Sequence, residues 1–291
     1  MPRILNPQPA IEALEEIVIR PASKVVTPTL GCVIAEKNDL NKADWVYLKQ
    51  LTKCANKYGA EIEALPCSDL QDAYKSISEL KNNSRIDGII VLSSFKKGDD
   101  QFLKNYIPMP LDIDCASAVS LGHMLYDRSE TFYRDAPCTA GAIYKLLTYN
   151  GVDVTGKRVG VIGRSPRVGR PVSQLMSIAN ATVTLYHSKS DLSSLTQEDI
   201  VISAIGKPKF LKANLFREGQ IVVDAGINVD ENGKLCGDVD YDEVYKVLGD
   251  SGAITSVPNG VGPLTNVVLF SKLFANKYTI RGYTFSRGAD S

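Results

Sequence analysis

The sequence predicts an α/β fold with parallel sheets, arranged in two domains. Short strand-like runs alternate with helical stretches along almost the whole chain, which is typical of parallel sheets covered by helices. The chain has 291 residues, which is more than one compact core usually holds. With 44% hydrophobic and 23% charged residues, its composition is that of an ordinary globular protein and predicts no long disordered arm.

The order of the elements follows from residue pattern. Apolar runs between turn residues predict strands at 30–35, 61–65, 88–92, 158–162, 182–186, 200–203 and 221–225. Apolar residues at helical spacing predict helices at 43–58, 69–81, 141–149 and 171–180. The stretch 96–134 is less regular and carries Pro108, Pro110 and mixed charges, so we expect a boundary or a binding loop there rather than core.

Charge and cysteine usage exclude several classes of protein. The 33 basic residues are matched by 33 acidic ones, so no basic surplus is present to bind nucleic acid. The six cysteines are scattered singly and only two histidines accompany them, which argues against a metal site or a disulfide framework. The first 21 residues are interrupted by glutamates, and no apolar run approaches bilayer-spanning length. We expect a soluble protein of the reducing cytoplasm, without a membrane partner.

From Gly156 onward the sequence reads as a βαβ unit: a strand RVGVI, a glycine-bearing turn, a helix opening near Pro171 and a second strand ATVTLYH. Glycines let a backbone approach a ligand closely, and a helix N-terminus attracts a pyrophosphate. The spacing is neither GxGxxG nor that of a P-loop, and glycine is also common at such corners for steric reasons. Spacing alone therefore leaves nucleotide binding and a plain turn equally open.

The end of the second strand indicates which dinucleotide would bind. A site that prefers NAD usually has an acid there, which accepts from the ribose 2′-hydroxyl. Here the residues are Tyr186, His187, Ser188 and Lys189, and the nearest carboxylate is Asp191. Donors to a 2′-phosphate are available instead, namely Arg164, Ser188 and either Arg167 or Lys189. The pattern favours NADP over NAD, although these cations could also be merely solvated.

Several further segments together resemble one enzyme family. VGVIGRSPRVGRPVSQLM, ATVTLYHSKS, VVDAGIN, GDVDYDEV and VPNGVGPLT are joined upstream by DGIIVL, LDIDCASAV and APCTAGAIYKLL. Their order and separations resemble the methylenetetrahydrofolate dehydrogenase/methenyltetrahydrofolate cyclohydrolase family, which is often bifunctional. The resemblance covers most of residues 30–273 and is more specific than a dinucleotide turn alone.

The resemblance implies a domain layout and a set of site residues. It implies an N-terminal folate-binding and catalytic domain at 1–139, completed by a C-terminal helix at 263–291, and a Rossmann NAD(P)-binding domain at 140–262. The folate is expected in the cleft between the two domains. The expected assembly is a homodimer. Tyr47 matches the tyrosine that stacks on folate and Asp114 the aspartate that holds the pterin. The cleft-lining loop matches Pro258, Asn259, Gly260, Val261 and Gly262. The cofactor positions match Thr139, Gly163, Arg164, Ser165, Val168, Gly169, Ser188 and Ile227.

The sequence departs from the family at the hydrolase step. The family has a lysine four residues after the tyrosine, on the same helix face, and Leu51 stands there. Lys49 and Lys53, at offsets of two and six, lie on other faces because each residue turns the helix by ~100°. A glutamine that supports the lysine in the family is replaced by Leu92, followed by Ser93 and Ser94. We therefore expect the two leucines to line the substrate site and cyclohydrolase activity to be absent or vestigial.

Hydride transfer needs no such amine, so the sequence predicts NADP-preferring oxidation of 5,10-methylenetetrahydrofolate to the methenyl form. Two alternatives stay open: a bifunctional enzyme that uses a displaced lysine such as Lys49, and a sensor that binds folate or nucleotide without turnover. Without the resemblance, Tyr47 would be read as core and Asp114 as a cap. A shikimate-type dehydrogenase shares the layout, but its Lys and Asp pair cannot be placed in this sequence.

Overall fold

The computed structural model describes residues 1–38, 41–92, 95, 99–126 and 136–280, and only the backbone of 99–101 and 280. The chain divides into two compact units. The six-stranded unit comprises Met1–Ile11 and Arg128–Thr265, and the three-stranded unit comprises Glu12–Asp127 and Asn266–Ser291. The main sheet of the first unit has six strands and that of the second has three.

The strands are, in chain order, β1 (Arg3–Ile4), β2 (Thr29–Ala35), β3 (Glu61–Cys67), β4 (Ile86–Val91), β5 (Arg158–Ile162), β6 (Thr182–Tyr186), β7 (Ile200–Ser203), β8 (Ile221–Asp224), β9 (Asn228–Val229), β10 (Leu235–Cys236) and β11 (Ala253–Ile254). The α-helices are α1 (Gln8–Leu14), α2 (Arg20–Ser23), α3 (Lys42–Tyr58), α4 (Leu70–Asn82), α5 (Asp99–Asn105), α6 (Ala118–Tyr126), α7 (Cys138–Tyr149), α8 (Gly169–Ile178), α9 (Tyr241–Leu248) and α10 (Val261–Ile280). A π-helical segment, Glu15–Ile19, joins α1 to α2.

The three-stranded unit has the sheet order β3-β2-β4, with both pairs parallel. Six of the seven β2 residues are buried, as expected of a central strand covered on both faces. Helix α4 packs on all three strands and α3 packs on β3. The core between α4 and the sheet includes Val33, Ile77, Leu80 and Ile89. This packing fixes α3, which carries two of the predicted site residues.

The six-stranded unit has the sheet order β1-β11-β8-β7-β5-β6, and all of its neighbouring strands are parallel. Strand β6 lies on one side of β5, and the chain then returns to the other side to form β7. Such a reversal is the topological switch point beside which open α/β sheets bind ligands, at the carboxyl ends of the strands. Strands β9 and β10 form a separate antiparallel pair.

The predicted fold class is confirmed, and all seven predicted strands and four predicted helices are present within a few residues. The prediction that 96–134 is a boundary or a binding loop rather than core is wrong in part. The stretch contains α5 and α6, and the side chain of Leu103 on α5 is fully buried in the core. Pro108 and Pro110 are confined to a short turn of 3-10 helix at Met109–Leu111 and its approach. Ser93, Ser94 and residues 281–291 of the predicted last helix lie outside the described residues.

The unit boundaries differ from the predicted ones at both ends of the N-terminal domain. Residues 1–11 belong to the six-stranded unit because β1 pairs with β11. Residues 136–139 also belong to that unit, in which α7 packs against α8. Within the described part of the chain, no helix has the length and apolar character needed to cross a bilayer.

Candidate functional site

The turn that follows β5 can be built only with glycine at two positions. Gly163 has φ +111°, and a Cβ there would lie 2.4 Å from the carbonyl oxygen of Ala204. A Cβ on Gly169 would lie 1.9 Å from the carbonyl oxygen of Gly163, so α8 begins in direct contact with the turn. The Gly163 N–H donates to the carbonyl of Tyr186 (3.0 Å), which joins the turn to the end of β6. Both glycines are therefore required by close main-chain approach.

Donors for an anion are exposed at this turn. The side chains of Arg164, Ser165 and Arg167 are exposed, and Ser165 Oγ accepts from the Val168 N–H (3.1 Å), which shapes the loop before α8. The N-terminus of the ten-residue helix α8 adds a partial positive charge to the same region. The turn, its cations and the helix end together suit a pyrophosphate.

The loop after β6 leaves Ser188 and Lys189 exposed. The Lys189 N–H donates to His187 Nδ1 (3.1 Å), which makes a tight turn around Ser188. Asp191 is committed elsewhere, because its two carboxylate oxygens accept from the N–H (2.9 Å) and hydroxyl (2.8 Å) of Ser193. Asp191 thereby caps a short 3-10 helix, Leu192–Gln197. These hydrogen bonds account for the lowered pKa of Asp191, to which the Ser193 N–H contributes most. The loop therefore offers donors, and its carboxylate acts as a helix cap.

Other predicted residues lie at the carboxyl ends of further strands in the six-stranded unit. Ile227, after β8, is 68% exposed, and its Cδ1 is 3.7 Å from where a Gly262 Cβ would stand. The loop after β11 contains a cis bond before Pro258 and a left-handed Asn259 (φ +79°). A Cβ on Gly260 would lie 2.4 Å from the Ser256 carbonyl oxygen.

This part of the six-stranded unit therefore brings together the candidate loops that follow β5, β6, β8 and β11. Thr139 is half-buried in the first turn of α7, a helix that packs against α8. Val261, the first residue of α10, is 4% exposed. The remaining loop residues, Pro258 and Asn259, are exposed.

In the three-stranded unit, the predicted residues lie on α3 and at the end of β4. Tyr47 is half-buried on α3, and Leu51, one turn later, is fully buried. Leu92 is 6% exposed and its N–H donates to the Val33 carbonyl (2.9 Å), which prolongs the pairing of β4 with β2. Both leucines therefore occupy low-dielectric positions, where an amine would be poorly solvated.

The turn after α5 contains two aspartates with different surroundings. Asp112 is 5% exposed and accepts from the N–H groups of Ala116 (3.1 Å) and Ser117 (2.9 Å) and from the Ser120 hydroxyl (2.6 Å). Asp114 is half-buried. Asp112 therefore holds the turn through its hydrogen bonds, and Asp114 is the more exposed of the two carboxylates.

Sequence reasoning missed a cation beside this turn. Cys115 has φ +52°, and its Sγ accepts from Nζ of Lys272 on α10 at 3.2 Å. Burial raises the pKa of the Cys115 thiol, although the Lys272 charge lowers it. The two residues are 157 positions apart, so no local pattern could have predicted the contact.

Sequence reasoning also missed two buried aspartates at the ends of β8 and β10. Asp224 (3% exposed) and Asp238 (fully buried) come from the VVDAGIN and GDVDYDEV segments. Burial raises the pKa of Asp224 to about 6, although the N–H groups of Val239, Asp238 and Gly226 lower it. Both aspartates are visible in the sequence motifs, but their roles depend on contacts between the two segments, which the sequence alone does not show.

A cavity of about 430 Å³ lies elsewhere, between α3 and β3 of the three-stranded unit. Its lining includes Leu48, Thr52, Asn56 and Ile62. None of the predicted site residues lines it, so the cavity adds nothing to the candidate site.

A parallel sheet that doubles back at β5, with a glycine turn that feeds a helix at that point, defines a dinucleotide-binding α/β protein. Residues 137–279 match the family model described as the NAD(P)-binding domain of tetrahydrofolate dehydrogenase/cyclohydrolase. The chain is 35% identical over 291 residues to the bifunctional protein FolD of Staphylococcus aureus (strain Newman), which covers 98% of this chain and 93% of that protein. The chain belongs to the tetrahydrofolate dehydrogenase/cyclohydrolase family.

Solved structures agree with this assignment. The bifunctional FolD methylenetetrahydrofolate dehydrogenase/cyclohydrolase of Campylobacter jejuni superposes with a TM-score of 0.85 at 30% identity, covering 96% of this chain and all of that one. The Trypanosoma brucei dehydrogenase-cyclohydrolase, solved with NADP cofactor and an inhibitor, gives a TM-score of 0.81 at 27% identity, covering 96% of this chain and 99% of that one.

Proposed function

We propose that this protein oxidises 5,10-methylenetetrahydrofolate to 5,10-methenyltetrahydrofolate, prefers NADP to NAD, and has little or no cyclohydrolase activity. The observation that carries the proposal is the pairing of an intact glycine turn in the six-stranded unit with a fully buried leucine at position 51 of the three-stranded unit. The first feature supports dinucleotide binding, and the second removes the amine that the family uses to activate water.

The residues of the six-stranded unit fit a dinucleotide. A Cβ at Gly169 would fill space 1.9 Å from the Gly163 carbonyl oxygen, and the exposed Arg164, Ser165 and α8 N-terminus would hold the phosphates. Ser188, with Arg164 and either Arg167 or Lys189, would hold a 2′-phosphate, since all are exposed around the turn and β6 loop. The use of Asp191 as a cap supports NADP further. The NADP reported for the Trypanosoma brucei relative agrees with this preference.

Helix α3 supports the loss of the hydrolase step. It runs without interruption from Lys42 to Tyr58 and ends at Gly59, whose φ of +76° is a normal C-cap. The register of the helix is therefore regular, and the side chains of Lys49 and Lys53 are exposed, whereas Leu51 is buried. This geometry disfavours Lys49 as a substitute amine.

The chain's own residues need only bind, orient and exclude water for the oxidation. When bound, the nicotinamide supplies a hydride acceptor. Tyr47 would stack on the folate and Asp114 would hold the pterin, so that the one-carbon bridge is oriented. The reaction forms a cation, and an aliphatic Leu51 avoids the repulsion that a protonated amine would exert in a low-dielectric site. The same leucine leaves no group to accept a proton from water at that position.

The test follows methylenetetrahydrofolate oxidation spectrophotometrically with NADP and with NAD, and then the fate of the methenyl chromophore. We expect faster oxidation with NADP and methenyl product that decays at the rate seen without enzyme. Enzymatic hydrolysis at a rate comparable to oxidation would contradict the loss of cyclohydrolase. Tight folate binding without cofactor reduction would instead support the non-catalytic sensor.

One observation favours the bifunctional alternative. The Lys272 ammonium contacts Cys115 Sγ at 3.2 Å. Cys115 directly follows Asp114 in the sequence, so an amine contacts the neighbour of the carboxylate that we propose holds the pterin. If the wild type hydrolyses the methenyl product, Lys272→Met should abolish that activity and retain the oxidation. Hydrolysis that survives this substitution would rule out Lys272 as the displaced lysine.

We further propose a homodimer in the reducing cytoplasm. The homodimer is proposed from the family resemblance. The six free thiols are compatible with a reducing compartment. Sedimentation equilibrium should give twice the 31.7 kDa chain mass. A mass equal to that of one chain would contradict the dimer.

A further inference from the structure

The carboxylate of Asp238 joins three loop segments of the six-stranded unit. Its Oδ2 accepts from the Ser203 hydroxyl (2.9 Å) and the Ile205 N–H (2.8 Å). Its Oδ1 accepts from the Lys207 N–H (2.9 Å) and Asn228 Nδ2 (2.9 Å). Asp238 is fully buried, so these four donors compensate the cost of burying a carboxylate.

Asp238 and Asp224 hold the loops after β7 and β8 together in a reciprocal way. Asp224 accepts from the N–H groups of Gly226, Asp238 and Val239. A Cβ on Gly226 would lie 2.4 Å from Asp238 Oδ1, and a Cβ on Gly237 would lie 1.9 Å from Asp224 Oδ2. Gly226, two residues after Asp224, is thus packed against the Asp238 carboxylate. Gly237, which directly precedes Asp238, is packed against the Asp224 carboxylate. This mutual packing leaves the loops little freedom.

The position of these loops indicates which half of the dinucleotide they serve. Strand β6, whose following loop carries Ser188, lies on one side of β5, and β7 and β8 lie on the other. The pyrophosphate binds at the turn after β5, and the adenosine ribose binds at the end of the second strand, β6. The nicotinamide half must then extend over the loops after β7 and β8.

Contacts around the turn support this direction. The Ala204 carbonyl, in the loop after β7, is the atom that a Gly163 Cβ would meet at 2.4 Å, and the exposed Ile227 follows β8. We propose that Asp238 is a positioning residue for the nicotinamide half of the dinucleotide, acting by fixing the loops at 204–207 and 225–228. This inference rests on the dinucleotide binding in the proposed function.

Asn is the sharpest substitution for Asp238 because it preserves the shape of the side chain. In either orientation, its NH₂ group would face a main-chain N–H, that of Ile205 or that of Lys207, which cannot rotate away. One loop is therefore released. The matched control is Asp240→Asn, which removes a carboxylate two residues away whose partner is the half-exposed Lys212 (2.7 Å).

The experiment compares two probes in full-length wild type, Asp238→Asn and Asp240→Asn. NADPH, followed by its own fluorescence, reports the whole dinucleotide, whereas adenosine 2′,5′-bisphosphate, followed by calorimetry, reports the adenosine half alone. We expect Asp238→Asn to weaken NADPH binding about tenfold and to change bisphosphate binding by less than about twofold. The control should bind both probes like the wild type.

A purely structural role would affect both probes equally, and that result, or no change in either, would overturn the inference. If Asp238→Asn does not fold, Asn228→Ala decides the question, because it removes one donor to Asp238 from a half-buried residue at the start of β9. It should weaken NADPH alone by about threefold, and an equal or absent effect on the two probes would again overturn the inference. Failure of the wild type to bind either probe would instead overturn the proposed function, and this inference with it.

Discussion

In the six-stranded unit the candidate site depends on main-chain geometry, whereas in the three-stranded unit it depends on the identity of a few side chains. Gly163 and Gly169 cannot accept a Cβ without a main-chain clash. Leu51 and Leu92, in contrast, are buried apolar residues that suit the core they occupy. The main chain itself therefore supports the proposed dinucleotide turn, whereas the folate chemistry must be argued residue by residue.

The contrast also explains why the fold alone gives no sign of whether the hydrolase step is retained. A leucine in a low-dielectric position satisfies packing better than a lysine would. Helix α3 runs from Lys42 to Tyr58 and ends at a glycine cap, so a leucine at position 51 is compatible with an uninterrupted helix. The architecture of the three-stranded unit therefore does not reveal which chemistry its side chains carry out.

The largest effect should come from restoring the family's side chains in the three-stranded unit. Leu51→Lys combined with Leu92→Gln should raise methenyltetrahydrofolate hydrolysis on the order of 10²- to 10⁴-fold. The buried position should lower the pKa of the introduced amine, so that part of it is neutral and can act as a base. Methenyl decay under enzyme excess measures the gain.

Thr52→Lys is the matched control for that variant. It places an amine on the same helix at a neighbouring exposed position, and hydrolysis should stay at the wild-type level. An equal gain in the control, or none in the double variant, would show that Leu51 and Leu92 do not determine the chemistry.

The main-chain half of the comparison is tested by Gly169→Ala. The added Cβ would stand 1.9 Å from the Gly163 carbonyl oxygen, so α8 and the turn must separate. We expect dinucleotide binding to weaken on the order of 100-fold, as measured by NADPH fluorescence. Gly122→Ala is the control, because, among the described residues, no atom outside the backbone of its own helix lies within 4 Å of a Cβ at that position. Wild-type affinity in Gly169→Ala would mean that the turn does not bind the phosphates.

The same division governs what could be predicted from the sequence. The longer strands and the glycine turn follow from local patterns, and all seven predicted strands are present. The two-residue strands β1, β9, β10 and β11 have no periodicity to detect, because pairing partners alone define them. The Asp238 hydrogen bonds and the Lys272 contact span 10 to 157 residues, so only the folded chain reveals them. Helices α5 and α6 were missed because prolines separate two short segments.

The buried carboxylate of Asp224 should make the six-stranded unit's stability depend on pH. Burial raises its pKa from 3.8 to about 6, so its contribution to stability is complete below the unfolded-state pKa and is lost as pH rises through about 6. Relative to Asp224→Asn, the wild type should lose about 2 kcal/mol of unfolding free energy between pH 4 and pH 6. Urea unfolding at a series of pH values measures this difference.

Asp230→Asn provides a control of opposite sign for the pH dependence. The Lys234 N–H and the Lys209 ammonium lower the pKa of Asp230, so its stabilisation is present at neutral pH and is lost as pH falls. The wild type should therefore lose stability relative to this variant on acidification. A flat difference for Asp224→Asn would show that its carboxyl titrates normally.

The smallest effect concerns the choice between the two dinucleotides, where a single exposed side chain acts within the main-chain site. Arg164→Leu should raise the KM for NADP about tenfold and change the KM for NAD by less than about twofold, because only NADP has the 2′-phosphate that the guanidinium would bind. Arg158→Leu removes a cation from the opposite end of β5 and should leave both KM values unchanged, which separates a local contact from a general effect of charge. If Arg164→Leu weakens both dinucleotides equally, the arginine binds the pyrophosphate, and the preference for NADP must come from the β6 loop.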